Sequence, residues 1–294
     1  MENKATIVPM PNSEQMFNKT MRDIDTRLKK LKGNIVEVLI PTIDQRMDAG
    51  QAQALLAEQL GLAKYGIHLR MQYAADSLIQ RNRNLLIHRA LKGPAQWFFW
   101  LDSDVRFAPG AIAMLLGMNK FLIGGGYPIK EYEPGRLKMA LEQGVDIQHL
   151  LKYGTRNVVS NTKPRTTMGH TYEPIEVDNL GTGFLLTHRS VYYKLKPLIE
   201  ANKCVVPGQP FSKLEDAEFY YPYFHCDFRK LKFFDGVEVQ ELMSEDYYFC
   251  EKLRETGIKS YVMPAVQLKH VGPHVFEGDY IRSLGLVYDS EKAK

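Results

Sequence analysis

The chain has 294 residues, 45% hydrophobic and 24% charged, with a formal net charge of +4. That length accommodates one large α/β domain or two small ones, and the composition is that of a soluble globular protein, neither disordered nor fibrous. The small net charge admits anionic substrates but not the clustered basic surface of a nucleic-acid binder, and no apolar run approaches the ~18 residues that would span a membrane. Residues 1–32 hold no apolar core of the kind a signal peptide needs and read as an N-terminal arm or polar surface helix. Cys204, Cys226 and Cys250 are too widely spaced for a zinc ribbon or a redox pair. A sparse, odd set of thiols suggests a reducing, cytoplasmic compartment. His225-Cys226 has no further ligand at metal spacing.

In chain order, residues 34–40 form a first strand, stopped by Pro41-Thr42. Residues 49–60 have helical spacing and end at Gly61. Residues 65–72 alternate as a second strand, with Ile67, Leu69 and Met71 on one face. Asp76-Ser77 caps a helix over 78–91, which turns Leu85, Leu86 and Ala90 inward and is closed by Gly93-Pro94. The run Trp97-Phe98-Phe99-Trp100-Leu101 follows as a strand buried on both faces. Strand, helix, strand, helix, strand at this pitch predicts a Rossmann-like, mostly parallel central sheet flanked by helices. Ligands of such sheets sit beyond the carboxyl ends of the strands. Pro41, Thr42, Asp76, Asp102 and Asp104 all fall at that edge.

A helix over 109–118 and a strand over 121–123 lead into Gly124-Gly125-Gly126, glycines that would let backbone approach a ligand. No Gly-x-Gly-x-x-Gly dinucleotide fingerprint is present. The pattern weakens over 131–176, where 163–170 reads as a loop. It returns with a segment over 174–180, a strand entered through Gly181-Thr182-Gly183, and a helix over 190–200. The aromatic tract Phe219-Tyr220-Tyr221-Pro222-Tyr223-Phe224 reads either as core or as a surface on which sugar rings stack. Ser244-Glu245-Asp246 opens a helix that stops at Gly257. Strands over 258–262 and 265–271 close the pattern, the latter aligning Val266, Leu268 and His270. Neither an internal repeat nor a low-complexity segment is seen.

The apolar run ending in Asp102-Ser103-Asp104 carries the chemistry. Residues alternate along a strand, so the two aspartates are expected to point the same way. Carboxylates at the end of a buried strand are costly unless a cation meets them. A hard divalent ion, Mg²⁺ or Mn²⁺, suits an all-oxygen site and is commonly shared with substrate phosphates. The competing reading is a turn followed by a helix cap, which Ala108-Pro109-Gly110 also supports.

Arg83-Asn84-Leu85-Leu86 and the Trp97–Val105 block resemble the Arg-Asn helix and Asp-x-Asp strand of GT-A-fold glycosyltransferases. Their local form is similar to the Anp1-like mannosyltransferases and to family 2-like enzymes of phages, large viruses and bacteria. Gly124-Gly125-Gly126-Tyr127-Pro128-Ile129-Lys130, Gly181–Leu186, Ser244–Cys250 and Leu268-Lys269-His270-Val271-Gly272 resemble the family's later blocks, in its order. The resemblance implies one GT-A domain with acceptor-side additions: a nucleotide-sugar-binding half over 33–130 and an acceptor half over 131–294. It implies Mn²⁺ or Mg²⁺ held by Asp102, Asp104 and His270. It places Pro41, Thr42 and Asp76 against the nucleotide base, and Asp102-Ser103-Asp104 beside the donor. Arg83 and Asn84 would lie against the nucleotide or brace its pocket, with Arg81-Asn82 the alternative register. Asp246, with Glu245 beside it, would be the catalytic or acceptor-binding acid. The implied partners are a nucleotide sugar, UDP-linked or else GDP-mannose, and a glycan or other hydroxyl acceptor. The implied compartment is the cytoplasm, the host's if the chain is viral. A nucleotidyltransferase or phosphohydrolase on a similar sheet is the alternative, and a metal-indifferent binding module using the aromatic tract is a third reading.

Overall fold

The computed structural model describes residues 13–160, 172–208, 213–232 and 236–280; the loop expected over 163–170 lies outside them. The helices are α1 (Ser13–Lys30), α2 (Ala49–Ala63), α3 (Ile79–Lys92), α4 (Ala111–Gly117), α5 (Pro134–Glu142), α6 (Ser190–Ile199) and α7 (Glu245–Glu255). The first strands are β1 (Ile35–Thr42), β2 (His68–Ala75), β3 (Trp97–Leu101), β4 (Val105–Phe107) and β5 (Leu122–Gly124). They are followed by β6 (Val159–Ser160), β7 (Ile175–Val177), β8 (Asn179–Leu180) and β9 (Phe184–His188). The rest are β10 (Cys204–Val205), β11 (Phe219–Tyr220), β12 (Asp227–Lys232), β13 (Glu238–Met243), β14 (Ser260–Val262), β15 (Leu268–Val271) and β16 (Val275–Glu277).

The architecture is α/β, with one seven-stranded sheet in the order β2-β1-β3-β9-β5-β14-β7. β2, β1, β3, β5 and β14 run one way, while β9 and β7 run against them. The apolar run of β3 explains why the sheet is covered on both faces. Trp97, Phe99 and Leu101 enter one core with residues of α1, α2 and α4. Phe98 and Trp100 enter the other with residues of α3, α6 and α7. A strand without a polar face is stable only between two layers.

Several boundaries differ from the sequence reading. β1 runs through Pro41 to Thr42. Gln96 N–H donates to Ile35 and Asp76 N–H to Thr42, so odd-numbered residues of β1 face β3 and even-numbered ones face β2. Pro41 lies beyond the last β1–β3 pair, Leu39 with Trp100, so its missing N–H costs no ladder bond. α2 runs past Gly61, and the chain reverses at Gly66, whose φ is +69°. A glycine ends a helix where it takes the left-handed conformation, which Gly61 does not. β2 starts correspondingly later than expected, and as the sheet edge it leaves Met71 and Tyr73 exposed. The N-terminal segment is a docked helix: Ile24, Leu28 and Leu31 are buried, and a Cβ at Gly117 of α4 would fall 2.7 Å from Ile24.

The aromatic tract is largely core. Tyr223 and Phe224 are buried, and the Phe224 ring packs on Trp100 and Phe249 at 4.9 and 4.6 Å. The glycine run is also packing and not a ligand cradle. A Cβ at Gly124 would collide with the Phe184 carbonyl oxygen, and one at Gly125 would lie 2.6 Å from Leu268. Gly124→Ala is therefore expected to cost about 1–3 kcal/mol or more, because a backbone atom cannot swing aside. Gly135→Ala, in the first turn of α5 with nothing within 4 Å of the new methyl, is expected to add about 0.5–1 kcal/mol. Urea unfolding of the two variants checks both signs.

Candidate active site

The carboxyl ends of β1, β2 and β3 share one edge of the sheet with the start of β9 and the first turn of α7. Arg83, 2% exposed, sits at their centre. Its Nη2 donates to both carboxylate oxygens of Asp102, at 2.9 and 3.1 Å. Its Nη1 donates to Glu245 Oε1 at 3.1 Å and to Asp246 Oδ1 in a shorter contact. The register carried by Arg83-Asn84 is thus the one that meets the acids. Arg81 instead pairs with Asp76 through two bonds of 2.6 and 2.7 Å. Asn82 ties β1 to β2 by donating to the carbonyls of Thr42 and Ala74. Asn84 bonds both backbone groups of Phe224, at 2.7 and 2.9 Å, fixing a ring whose centroid lies 5.9 Å from the Arg83 guanidinium carbon. Arg83 and Asn84 therefore hold the acid cluster and Phe224 together from within.

Gly181-Thr182-Gly183 completes this network. Thr182, fully buried, donates its hydroxyl to Asp246 Oδ1 in a short bond. A Cβ at Gly181 would meet the Tyr127 hydroxyl at 2.5 Å, and one at Gly183 would meet Asp102 Oδ2 at 2.9 Å. The two glycines make room for Tyr127 and Asp102, and the threonine between them holds the acid of α7. Sequence reasoning missed Thr182 and Tyr127, although both lie in motifs it singled out.

Asp102 and Asp104 do not share one environment. β3 ends at Leu101, and Val105 N–H donates to the Asp102 carbonyl at 3.1 Å, so the chain turns and strand alternation stops. Gln51, fully buried, holds that turn by donating to the carbonyls of Asp102 and Val105. Ser103 lies in the turn, its carbonyl accepting from Asp48 N–H. Asp102 keeps the direction of Phe98 and Trp100, toward α3, and meets Arg83. Asp104 instead faces His270 Nε2 at 3.4 Å and Lys130 Nζ at 2.6 Å. Antiparallel pairing of β4 with β15 sets His270 opposite Val105, and Val271 N–H donates to the Asp104 carbonyl. His270 Nδ1 lies 2.9 Å from the Pro128 carbonyl, which accepts its N–H and leaves Nε2 directed at Asp104. Among the described residues, no group of three or more His, Cys, Asp or Glu side chains stands arranged around one metal position.

Of the positions expected to meet a nucleotide base, Pro41 and Thr42 are buried in the sheet. The Thr42 hydroxyl accepts from Gln45 N–H at 2.9 Å, shaping the loop beyond β1. Asp76 is no helix cap: α3 begins at Ile79, and Asp76 accepts from Leu78 N–H in the turn ahead of it. Ser244 occupies the N-cap position of α7 without a side-chain capping bond.

The electrostatics follow from burial. Burial raises the pKa of Asp102, and the charges of Asp246 and Asp104 add to this against the pull of Arg83. Burial likewise raises Glu245, reinforced by Asp246. For Asp104, burial is outweighed by hydrogen bonds from His270 and Lys130, which hold its pKa down at about 2.

Two outcomes follow. Arg83→Met strands three carboxylates in a dry site and is expected to cost about 3–5 kcal/mol, read as a loss of urea midpoint. For Asp104, a folded pKa below the ordinary 3.8 means its contribution is present above 3.8 and lost as pH falls toward about 2. Asp102 and Glu245, with raised values, act with the opposite sign and at higher pH. Asp104→Asn should therefore flatten the decline of unfolding free energy between 3.8 and about 2; equal slopes for variant and wild type contradict this.

No family model matches the chain, and no curated protein matches it. Among solved structures, protein A197 from STIV is similar at 11% identity, covering 83% of this chain and 93% of its own, with a TM-score of 0.43. Function is argued from the site and not from that likeness.

Proposed function

We propose that this chain is a metal-dependent glycosyltransferase of GT-A type, moving a sugar from a nucleoside diphosphate to a hydroxyl of a glycan or other acceptor with inversion. A UDP-sugar is the first donor to test and GDP-mannose the second. The observation that carries the reading is the meeting of Asp104 with His270 Nε2 at the end of β3, beside an acid cluster that includes Asp246. His270 Nδ1 is engaged by the Pro128 carbonyl, so Nε2 is the ring atom left to act at Asp104. The donor set, one carboxylate and one imidazole, suits Mn²⁺ and with added oxygens Mg²⁺. Among the described residues, four carboxylates (Asp102, Asp104, Glu245 and Asp246) share two permanently charged partners, Arg83 and Lys130, so the site also favours added positive charge.

Asp104 and His270 would hold the ion, while Asp102 belongs to the neighbouring Arg83 network. A divalent cation there supplies Lewis-acid stabilisation of the departing diphosphate. The protein's own groups do the rest. Arg83 and Thr182 fix Asp246 by bonds that both land on Oδ1. Oδ2 is then the atom directed to an acceptor hydroxyl, whose proton it takes as the oxocarbenium-like transition state is attacked. Glu245 shares the guanidinium with Asp246. The loop beyond Thr42 and the Asp76–Arg81 pair border the place for the base.

The test incubates the protein with Mn²⁺ and individual nucleotide sugars and measures nucleoside diphosphate released by slow hydrolysis. Release from one donor is expected, and Asp246→Asn should lower transfer by about 10²–10⁴-fold with the circular dichroism spectrum unchanged. Silence with every donor, together with no nucleotide-induced thermal shift, overturns the proposal. Release of pyrophosphate or free phosphate points to a nucleotidyltransferase or phosphohydrolase instead.

A further inference from the structure

Lys130 holds no role in the chemistry described above, yet its ammonium stands where a cation on Asp104 would be felt most. Its Nζ donates to Asp104 Oδ2 at 2.6 Å. Its aliphatic stem runs over Gly272, where a Cβ would lie 3.3 Å from Lys130 Cδ and 3.6 Å from Cε. The backbone carrying it is anchored: Ile129 N–H donates to the Arg156 carbonyl at 2.8 Å, and Val158 N–H to the Tyr127 carbonyl at 2.9 Å. The carbonyl of Pro128, two residues before Lys130, is the one that orients His270. One short segment thus sets both the imidazole and the ammonium on the two oxygens of Asp104.

We propose that Lys130 is a built-in counter-ion at the cation site, which an incoming divalent ion must displace from Asp104. This rests on the cation reading of the preceding subsection. An ammonium on a four-carbon stem is a compact charge that shifts position easily, and its head is partly exposed. It neutralises Asp104 while no ion is bound, and it repels an ion that approaches while it remains. Lys130 therefore weakens the affinity of the free protein for divalent ions and keeps the carboxylate from standing uncompensated.

The experiment titrates Mn²⁺ alone into the full chain and follows the electron paramagnetic resonance signal of the free ion, a readout independent of transfer activity. Wild type, Lys130→Met, Lys130→Arg and Asp104→Asn are compared, with circular dichroism confirming the fold of each. Lys130→Met is expected to bind Mn²⁺ roughly fivefold more tightly, the scale of a partly exposed ion pair. Lys130→Arg, which keeps the charge, should stay close to wild type, and Asp104→Asn should lose binding. If wild type binds Mn²⁺ and Lys130→Met binds it no more tightly, the counter-ion role is overturned while the cation site stands. If neither wild type nor Lys130→Met binds Mn²⁺, both ideas fall together.

Discussion

The guanidinium of Arg83 is the constraint from which the rest of the site follows. Asp102 comes from the end of β3, Glu245 and Asp246 from the first turn of α7, and all three reach the same buried cation. Without it, three negative charges would sit side by side with little water to screen them. With it, their repulsion becomes a reason for the strand and the helix to meet at one place. Asn84 then serves the arginine by locking Phe224 beside it. Thr182 serves the acids, and two glycines clear the space that Tyr127 and Asp102 fill.

Such a network is not what keeps the chain folded. A buried set of ion pairs roughly balances its desolvation cost, and well-packed apolar groups of the same size would often do as well. Stability lies in the two cores on either side of the sheet, where β3 contributes five buried side chains. The polar centre gives definition in its place: it admits one arrangement of α3, β3, β9 and α7. The proposed chemistry needs that definition, since a base held out of place loses its advantage.

How much of this could be read from the sequence depended on range. Trp97–Leu101 announced a strand buried on both faces because five consecutive apolar residues leave no polar side. Arg83 and Asp246 entered through motifs, and the structure brings them together. Local rules failed where the decision was tertiary. Pro41 looked like a stop, but its neighbour strand had already diverged. Gly61 looked like a helix end, but it keeps helical backbone, and Gly66 makes the turn. Asp102 and Asp104 looked like a matched pair, but a turn held by distant Gln51 sends them to different partners. Gln51 carried no local signal, because its task is defined only by a strand that arrives much later in the chain. Lys130 stood inside a recognised block, yet nothing in the block showed that it would face Asp104.

The ladder between β4 and β15 brings His270 to Asp104. The carboxyl ends of β1, β2 and β3 form one edge of the site, but the imidazole belongs to one of the last strands described. A ribosome must therefore translate through Leu268–Val271 before this corner can close. A polypeptide halted by a premature stop ahead of Leu268 would retain the apolar run of β3 but lack both the imidazole and the strand that seats it.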